Sequence, residues 1–127
     1  MLISINKEDA RPLYLQIMIQ IKEQIRQGGL KAGDELPSVR ELAESLDINM
    51  HTIRSAYIKL QEQGIINLRL GRRARIASLK KPDNKRSIEA EITARLEELM
   101  TDALLLGLSP EEIQKLLNQQ TEQLKNR

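Results

Sequence analysis

The sequence has no cysteine, no phenylalanine and no tryptophan, and its only aromatic rings of the phenyl or indole type are those of Tyr14 and Tyr57. Without cysteine there is no thiol catalysis, no thiolate zinc site and no disulfide, which suits a reducing compartment. Without aromatic side chains in number there is no platform for stacking single-stranded bases. His51 is the sole histidine, and no His or carboxylate cluster has metal-ligand spacing, so no metal or other cofactor is expected. There is also no Ser/His/Asp set, no phosphate-cradling glycine loop and no paired acids of the kind general acid–base work needs, so an enzyme is not expected. With 127 residues the chain is too short for a TIM barrel or a dinucleotide-binding unit joined to a catalytic domain. No apolar run approaches the roughly 20 residues of a membrane span. The opening Met1-Leu2-Ile3-Ser4-Ile5 is too short and uncharged for a secretory signal, so the expectation is a cytoplasmic protein with no membrane partner.

What the sequence does have is aliphatic and charged: 15 Ile, 20 Leu and 30% Asp, Glu, Lys and Arg. The core must therefore be aliphatic, and helices suit it best. The net charge of +2 hides an uneven distribution. Residues 1–80 carry 13 Lys and Arg against 9 Asp and Glu, whereas 81–127 carry 7 against 9. Between 49 and 81, Arg54, Lys59, Arg69, Arg72, Arg73, Arg75, Lys80 and Lys81 face a single acid, Glu62. That is the footprint of contact with a polyanion, and equally that of a solvated basic face.

The local signals order these residues into elements. Pro12 suits the first position of a helix, Tyr14, Ile17, Met18, Ile21 and Ile25 follow at helical spacing, and Gly28-Gly29 stops it. Ser38 and Glu41 form the pattern of a capping box, opening a short helix with Leu42, Ala43 and Leu46 inward that ends at Asp47-Ile48-Asn49. Asn49 caps a third helix through Ile53, Ala56, Tyr57 and Leu60 to Gly64. Small residues at 43 and 56, with Ile48 and Ile53 plugging the angle, describe a helix-turn-helix, although a plain helical hairpin has the same outline. The period then falls to two. Ile66, Leu68 and Leu70 alternate with Asn67 and Arg69, Gly71-Arg72 turns the chain, and Ala74 and Ile76 alternate with Arg73 and Arg75. A hairpin in that place is a wing, with an apolar face on the helices and a basic face and tip outside. Ile3 and Ile5 are candidates for a short third strand.

Residues 80–85 are polar and aperiodic and read as a linker. Beyond them Ile88, Ile92, Leu96, Leu99, Met100 and Ala103 mark a long helix. Ser109-Pro110-Glu111-Glu112 caps a last one with Ile113, Leu116, Leu117 and Leu124 inward. Two such helices cannot bury their stripes on each other alone, so a homodimer through Ile88, Ile92, Leu96, Leu99, Ile113, Leu116 and Leu117 is the economical expectation. The fold class expected is mainly α with a small β-hairpin: a winged helix-turn-helix over 1–80, then a linker and two-helix dimerisation segment over 81–127.

The stretches Tyr14-Leu15-Gln16-Ile17, Gly33-Asp34-Glu35-Leu36-Pro37-Ser38-Val39-Arg40-Glu41-Leu42-Ala43 and Asn49-Met50-His51-Thr52-Ile53-Arg54-Ser55-Ala56-Tyr57 resemble the GntR family of bacterial transcription regulators, and within it the short YtrA-like subgroup. The resemblance covers residues 12–77. It implies a winged-helix DNA-binding domain joined to a variable dimerising domain that often senses a small molecule. It makes Arg40 a base or phosphate contact, Thr52 and Arg54 recognition-helix contacts, and Gly71 the wing-tip glycine at the minor groove. Asp47 stands where many helix-turn-helix sequences have Gly. Arg73 and Arg75 replace a Gly and an aromatic common in the family's wing, so a stiffer, more basic tip is expected. The resemblance further implies a repressor, often of a transporter operon.

With the third helix in a major groove, its exposed start presents Asn49, His51, Thr52, Ser55 and Arg54. Arg54 is placed for a bidentate contact to guanine. Ser38 with the first-turn N–H groups of the second helix suits a phosphate, and Arg72 and Arg73 suit the backbone or minor groove. The expected partner is thus a double-stranded operator with inverted half-sites, and any effector is small, at the dimer seam, or absent. Each residue also has a plainer role: Ser38 as a cap only, Arg40 paired to Glu44, Tyr57 in the core, Arg72 to Arg75 as a charged edge that discourages strand pairing. The competing function is a winged helix for nonspecific DNA or protein contact.

Overall fold

The computed structural model describes residues 3–79 and 85–126. Its elements in chain order are α1 (Leu13–Arg26), α2 (Val39–Leu46), α3 (Met50–Glu62), β1 (Ile66–Arg69), β2 (Arg72–Ile76), α4 (Lys85–Leu105) and α5 (Pro110–Lys125). The chain divides into two compact units, 1–80 and 81–127. The expected linker falls mostly on 80–84, outside the described residues, and Lys85 already belongs to α4.

In the first unit, Ile17, Met18 and Ile21 of α1 meet Leu42 and Ala43 of α2, Ile53, Ala56, Tyr57 and Leu60 of α3, and Ile66, Ala74 and Ile76 of the hairpin in one buried cluster. The helical period selects the helix members of this cluster, because a stripe about 100° wide is what each helix must hide, and alternation selects Ile66, Ala74 and Ile76. Pro12 stands one place before the helix rather than within it, as the residue preceding Leu13.

The turn between α2 and α3 carries the fold's most telling backbone feature. Asp47 adopts a left-handed φ of 53°, the one non-glycine among the described residues with positive φ. Its N–H bonds to the Glu44 carbonyl and that of Ile48 to the Ala43 carbonyl, which is the Schellman pattern usually closed by glycine. An aspartate tolerates this conformation better than most residues, so the turn holds without glycine.

The hairpin pairs Ile66 with Ile76, Asn67 with Arg75 and Arg69 with Arg72, with an irregularity between Asn67 and Arg69. One residue of β1, Leu68, thus stands opposite two of β2, Arg73 and Ala74, a bulge whose extra residue is on β2. Only Ile66, Ala74 and Ile76 of the expected inward set are buried, whereas Leu68 and Leu70 face solvent. The turn is also one residue earlier than the sequence suggested, at Leu70-Gly71, and Arg72 begins β2.

No third strand forms at Ile3 and Ile5. The edge of β2 is taken instead by 33–36: Glu35 bridges to Arg75, Leu36 N–H donates to the Ala74 carbonyl at 2.8 Å, and Ile76 N–H to the Asp34 carbonyl at 2.9 Å. The N-terminal backbone is held by glutamines of α1, with Ser4 N–H donating to Gln20 Oε1 at 2.9 Å and Asn6 N–H to Gln16 Oε1 at 3.0 Å. Gln16 is buried and satisfied, since its amide also donates to the carbonyls of Asn6 and Arg11.

In the second unit, α4 ends in the same Schellman pattern at Gly107, and Ser109 and Glu112 form the full reciprocal capping box at the start of α5. None of the described residues of α4 or α5 is buried. The apolar residues expected to face inward stay in large part exposed, Leu99 to 64% and Leu116 and Leu117 to 48% each, with Ile113 intermediate.

Candidate nucleic-acid interface

Helix starts place most of the expected contact residues. Ser38 is extended ahead of α2, and its hydroxyl accepts from Glu41 N–H at 3.0 Å. The other half of the expected capping box is missing: the Glu41 carboxylate takes the Arg73 guanidinium at 2.7 Å instead of the Ser38 N–H. A charged partner on the hairpin outcompetes a neutral backbone donor, because charge-assisted hydrogen bonds are the stronger kind. Arg40, in the first turn of α2, is exposed, and no ion pair among the described residues joins it to Glu44. Asn49 spends its side-chain oxygen on the start of α3, accepting from His51 N–H at 2.8 Å.

Along α3, Ile53, Ala56, Tyr57 and Leu60 turn inward, which leaves His51, Arg54, Ser55, Ile58 and Lys59 on one outward depression with Glu62 at its end. Thr52 is half-buried and stands outside that depression. Arg54 Nη1 lies 3.3 Å from His51 Nδ1. Tyr57 is core, not DNA-facing, and its hydroxyl donates to the Pro37 carbonyl at 2.7 Å, tying α3 to the residue before the α2 cap.

The hairpin brings the second group of cations. Arg69, Arg72, Arg73 and Arg75 line one basic depression of about 330 Å³ with Glu35. Two of these arginines are engaged. Arg75 pairs with Glu35 at 2.7 Å and donates to the Gly33 carbonyl at 2.9 Å, while Arg73 holds Glu41. Arg72 and Arg69 have no ion pair among the described residues. A groove of about 570 Å³ separates α3 from the wing, lined by Arg54, Ile58, Leu68, Leu70, Gly71 and Arg72 among others. Of the expected contacts, the fold therefore brings Arg54, Gly71 and Arg72 to one groove and His51 and Ser55 to the depression beside it. Sequence reasoning missed the apolar lining, Glu35 and Glu41 as partners of the wing, and Gln61, whose Oε1 accepts from Leu68 N–H at 2.9 Å. Glu41 and Glu35 lie 32 and 40 positions from the arginines they hold, so no local signal marks these pairs.

This geometry is a helix-turn-helix with a basic hairpin beside its second helix. The family described as "Bacterial regulatory proteins, gntR family" matches residues 13–76, the span from α1 to the end of the wing. The chain belongs to the GntR family. It is 34% identical over 118 residues to the HTH-type transcriptional repressor YtrA of Bacillus subtilis, covering 93% of this chain and 91% of that protein. It resembles the solved structure of YtrA from Sulfolobus acidocaldarius, a GntR-family transcription factor, with a TM-score of 0.59, 35% identity and coverage of 97% of this chain and 99% of that one. The DNA-binding domain of AraR in complex with operator ORE1 matches with a TM-score of 0.51 and 27% identity, covering 61% of this chain and 94% of that one. As a GntR-family protein of the YtrA-like kind, the chain is a DNA-binding transcription regulator with a winged helix-turn-helix, and its relatives are regulators rather than enzymes. Among its described residues no helix is long and apolar enough to cross a membrane, and no group of three His, Cys, Asp or Glu is placed to hold a metal ion.

Tyr57 gives the GntR core a pH limit that can be measured. Burial, with the Glu41 carboxylate adding to it, pushes the hydroxyl well above its ordinary value of 10.0. The unfolded chain then ionises near that value while the folded one stays protonated. Stability is full below it and falls as pH rises through the alkaline range. Tyr57→Phe is expected to cost about 1 kcal/mol at neutral pH for the lost hydrogen bond. Its urea midpoint should also fall less between pH 9 and pH 11 than that of the wild type. An equal fall in both proteins would place the alkaline weakness elsewhere.

Proposed function

We propose that this regulator is a repressor that reads an inverted-repeat operator in double-stranded DNA as a homodimer. The observation that carries the reading is the exposed Arg54 on α3, which lines one groove with Arg72 of the wing, a cation with no ion pair among the described residues. In this reading α3 lies in the major groove, with Arg54 bidentate to guanine O6 and N7 and His51, Thr52 and Ser55 against neighbouring edges. Ser38, Arg40 and the first-turn N–H groups of α2 hold a phosphate, since a helix start offers unpaired donors and the positive end of its dipole. Gly71, Arg72 and Arg73 follow the backbone towards the minor groove, and Asn49 acts through the start of α3.

The homodimer rests on the second unit. Ile88, Ile92, Leu96 and Leu99 on α4, with Ile113, Leu116 and Leu117 on α5, present more hydrocarbon than a helix pair can hide, and a second copy would cover it in a four-helix arrangement. The B. subtilis relative is named a repressor, which favours that sign of control here. Two-fold symmetry then sets half-sites about 34–36 Å apart.

Selection of bound duplexes from a randomised library tests the reading. The expected product is an inverted repeat, bound more tightly than random duplex by a margin that persists as salt weakens both. A pool with no enriched sequence would mean a nonspecific DNA binder or a protein-contact module. Sedimentation should show the full chain as a dimer and a fragment ending at Leu79 as a monomer. A dimeric fragment would move the dimer interface into the winged helix.

A further inference from the structure

Leu70 is wholly in water, at 105% of the exposure of an isolated leucine, at the end of a hairpin whose neighbouring residues are Arg69, Gly71, Arg72 and Arg73. It occupies the first place of a two-residue turn closed by the Arg69 and Arg72 pair, and Gly71 supplies the positive φ of 72° that the second place demands. Its side chain adds nothing to the core. Behind it, Leu68 at 36% and Ile58 at 43% exposure continue the apolar surface into the groove beside α3, with Arg54 at its rim. The mount is braced from three sides: Arg73 to Glu41, Arg75 to Glu35, and Leu68 N–H to Gln61. A hydrocarbon held on a braced tip between cations fits a polyanion that also offers an apolar interior, and a DNA base stack is such a target.

We propose that Leu70 is a wedge that enters the minor groove beside each half-site and partly unstacks one base step. The arginines beside it hold the two backbones, and leucine is among the side chains that open steps in this way. The energy of opening depends on the step, least for the flexible pyrimidine–purine steps TA and CA. The operator is thereby selected at a position where no polar group reads a base edge. This rests on the operator reading above, and deepens it by naming a specificity determinant that neither the family match nor the relatives' names assign.

The test uses the full chain and the duplex recovered by selection, with 2-aminopurine placed in turn at each step flanking a half-site. Binding of the wild type should raise fluorescence at one flanking step. Replacing that step by a stiff one should weaken binding about tenfold, within the range of a single mismatched pair. Leu70→Ala should lose both the rise and the step preference, Leu70→Met should keep both, and the half-site preference should survive in each. Because the side chain is solvent-exposed, thermal melting should not move. A wild type with no fluorescence rise at any flanking step, or a Leu70→Ala variant that keeps the rise and the preference, overturns the wedge alone. A wild type that selects no duplex overturns the operator reading and the wedge with it.

Discussion

Arg54→Ala is expected to remove much of the discrimination between the proposed operator and random duplex while leaving most of the random-duplex affinity in place. Arg54 is exposed in the first half of α3, and its guanidinium has no carboxylate partner among the described residues, only the His51 ring nitrogen at 3.3 Å. A bidentate arginine–guanine contact contributes about 1–3 kcal/mol of discrimination per half-site. The proposed two-fold dimer would place two such contacts, so the free-energy preference for the operator should fall by about 2–6 kcal/mol, taking the sites as independent. Nonspecific affinity depends on phosphate neutralisation and should lose about one charge per protomer, visible as a shallower salt slope. Anisotropy titrations on both duplexes over a range of salt read the two quantities separately. Equal losses on both duplexes would make Arg54 a phosphate contact and return the base readout to other residues of α3.

The second large effect lies in the core. Ile53 is fully buried in the cluster that joins α2, α3 and the wing, directly beside the recognition surface in sequence. Ile53→Ala should destabilise the first unit by about 2–5 kcal/mol, the range for removing a buried isoleucine side chain to Cβ. A unit of 80 residues has about 4–12 kcal/mol in all. The variant should therefore melt well below the wild type and lose DNA binding through the loss of α3's seat. Ile53→Val, at about 0.5–1.5 kcal/mol, should keep both. An alanine variant with wild-type melting would show that the site collapses around the missing atoms.

The helices of the first unit were legible because their apolar residues recur at the helical period and their ends carry Ser38, Asn49 and glycine stops. The full capping box at Ser109 was legible for the same reason. The wing was legible as a hairpin but not in its burial: alternation gives Leu68 and Leu70 the same phase as Ile66, yet Leu68 lies at the groove beside α3 and Leu70 in the turn beyond the last strand residue, where the core does not reach. The third strand was sought at Ile3 and Ile5 because they alternate. The segment that pairs with β2, 33–36, carries Gly, Asp and Glu, residues depleted in strands, and it is held by tertiary hydrogen bonds rather than propensity. At the candidate interface, Arg54 could be placed from sequence because helix phase fixes it, and Arg72 to within one residue, since it begins β2 rather than closing the turn with Gly71. The commitment of Arg73 and Arg75 to Glu41 and Glu35 could not be placed, since each pair joins residues 32 and 40 positions apart.

The ion pair between Glu41 and Arg73 joins two half-exposed side chains and contributes little to stability, in the range of about 0–1 kcal/mol. Its consequence is geometric. Glu41 lies one residue from Arg40 and three from Ser38, and Arg73 lies two from Gly71, so the pair links the first turn of α2 to the wing. Under the proposed operator reading the start of α2 and the wing touch one duplex, and the pair ties the spacing of those two contacts to the fold of the first unit.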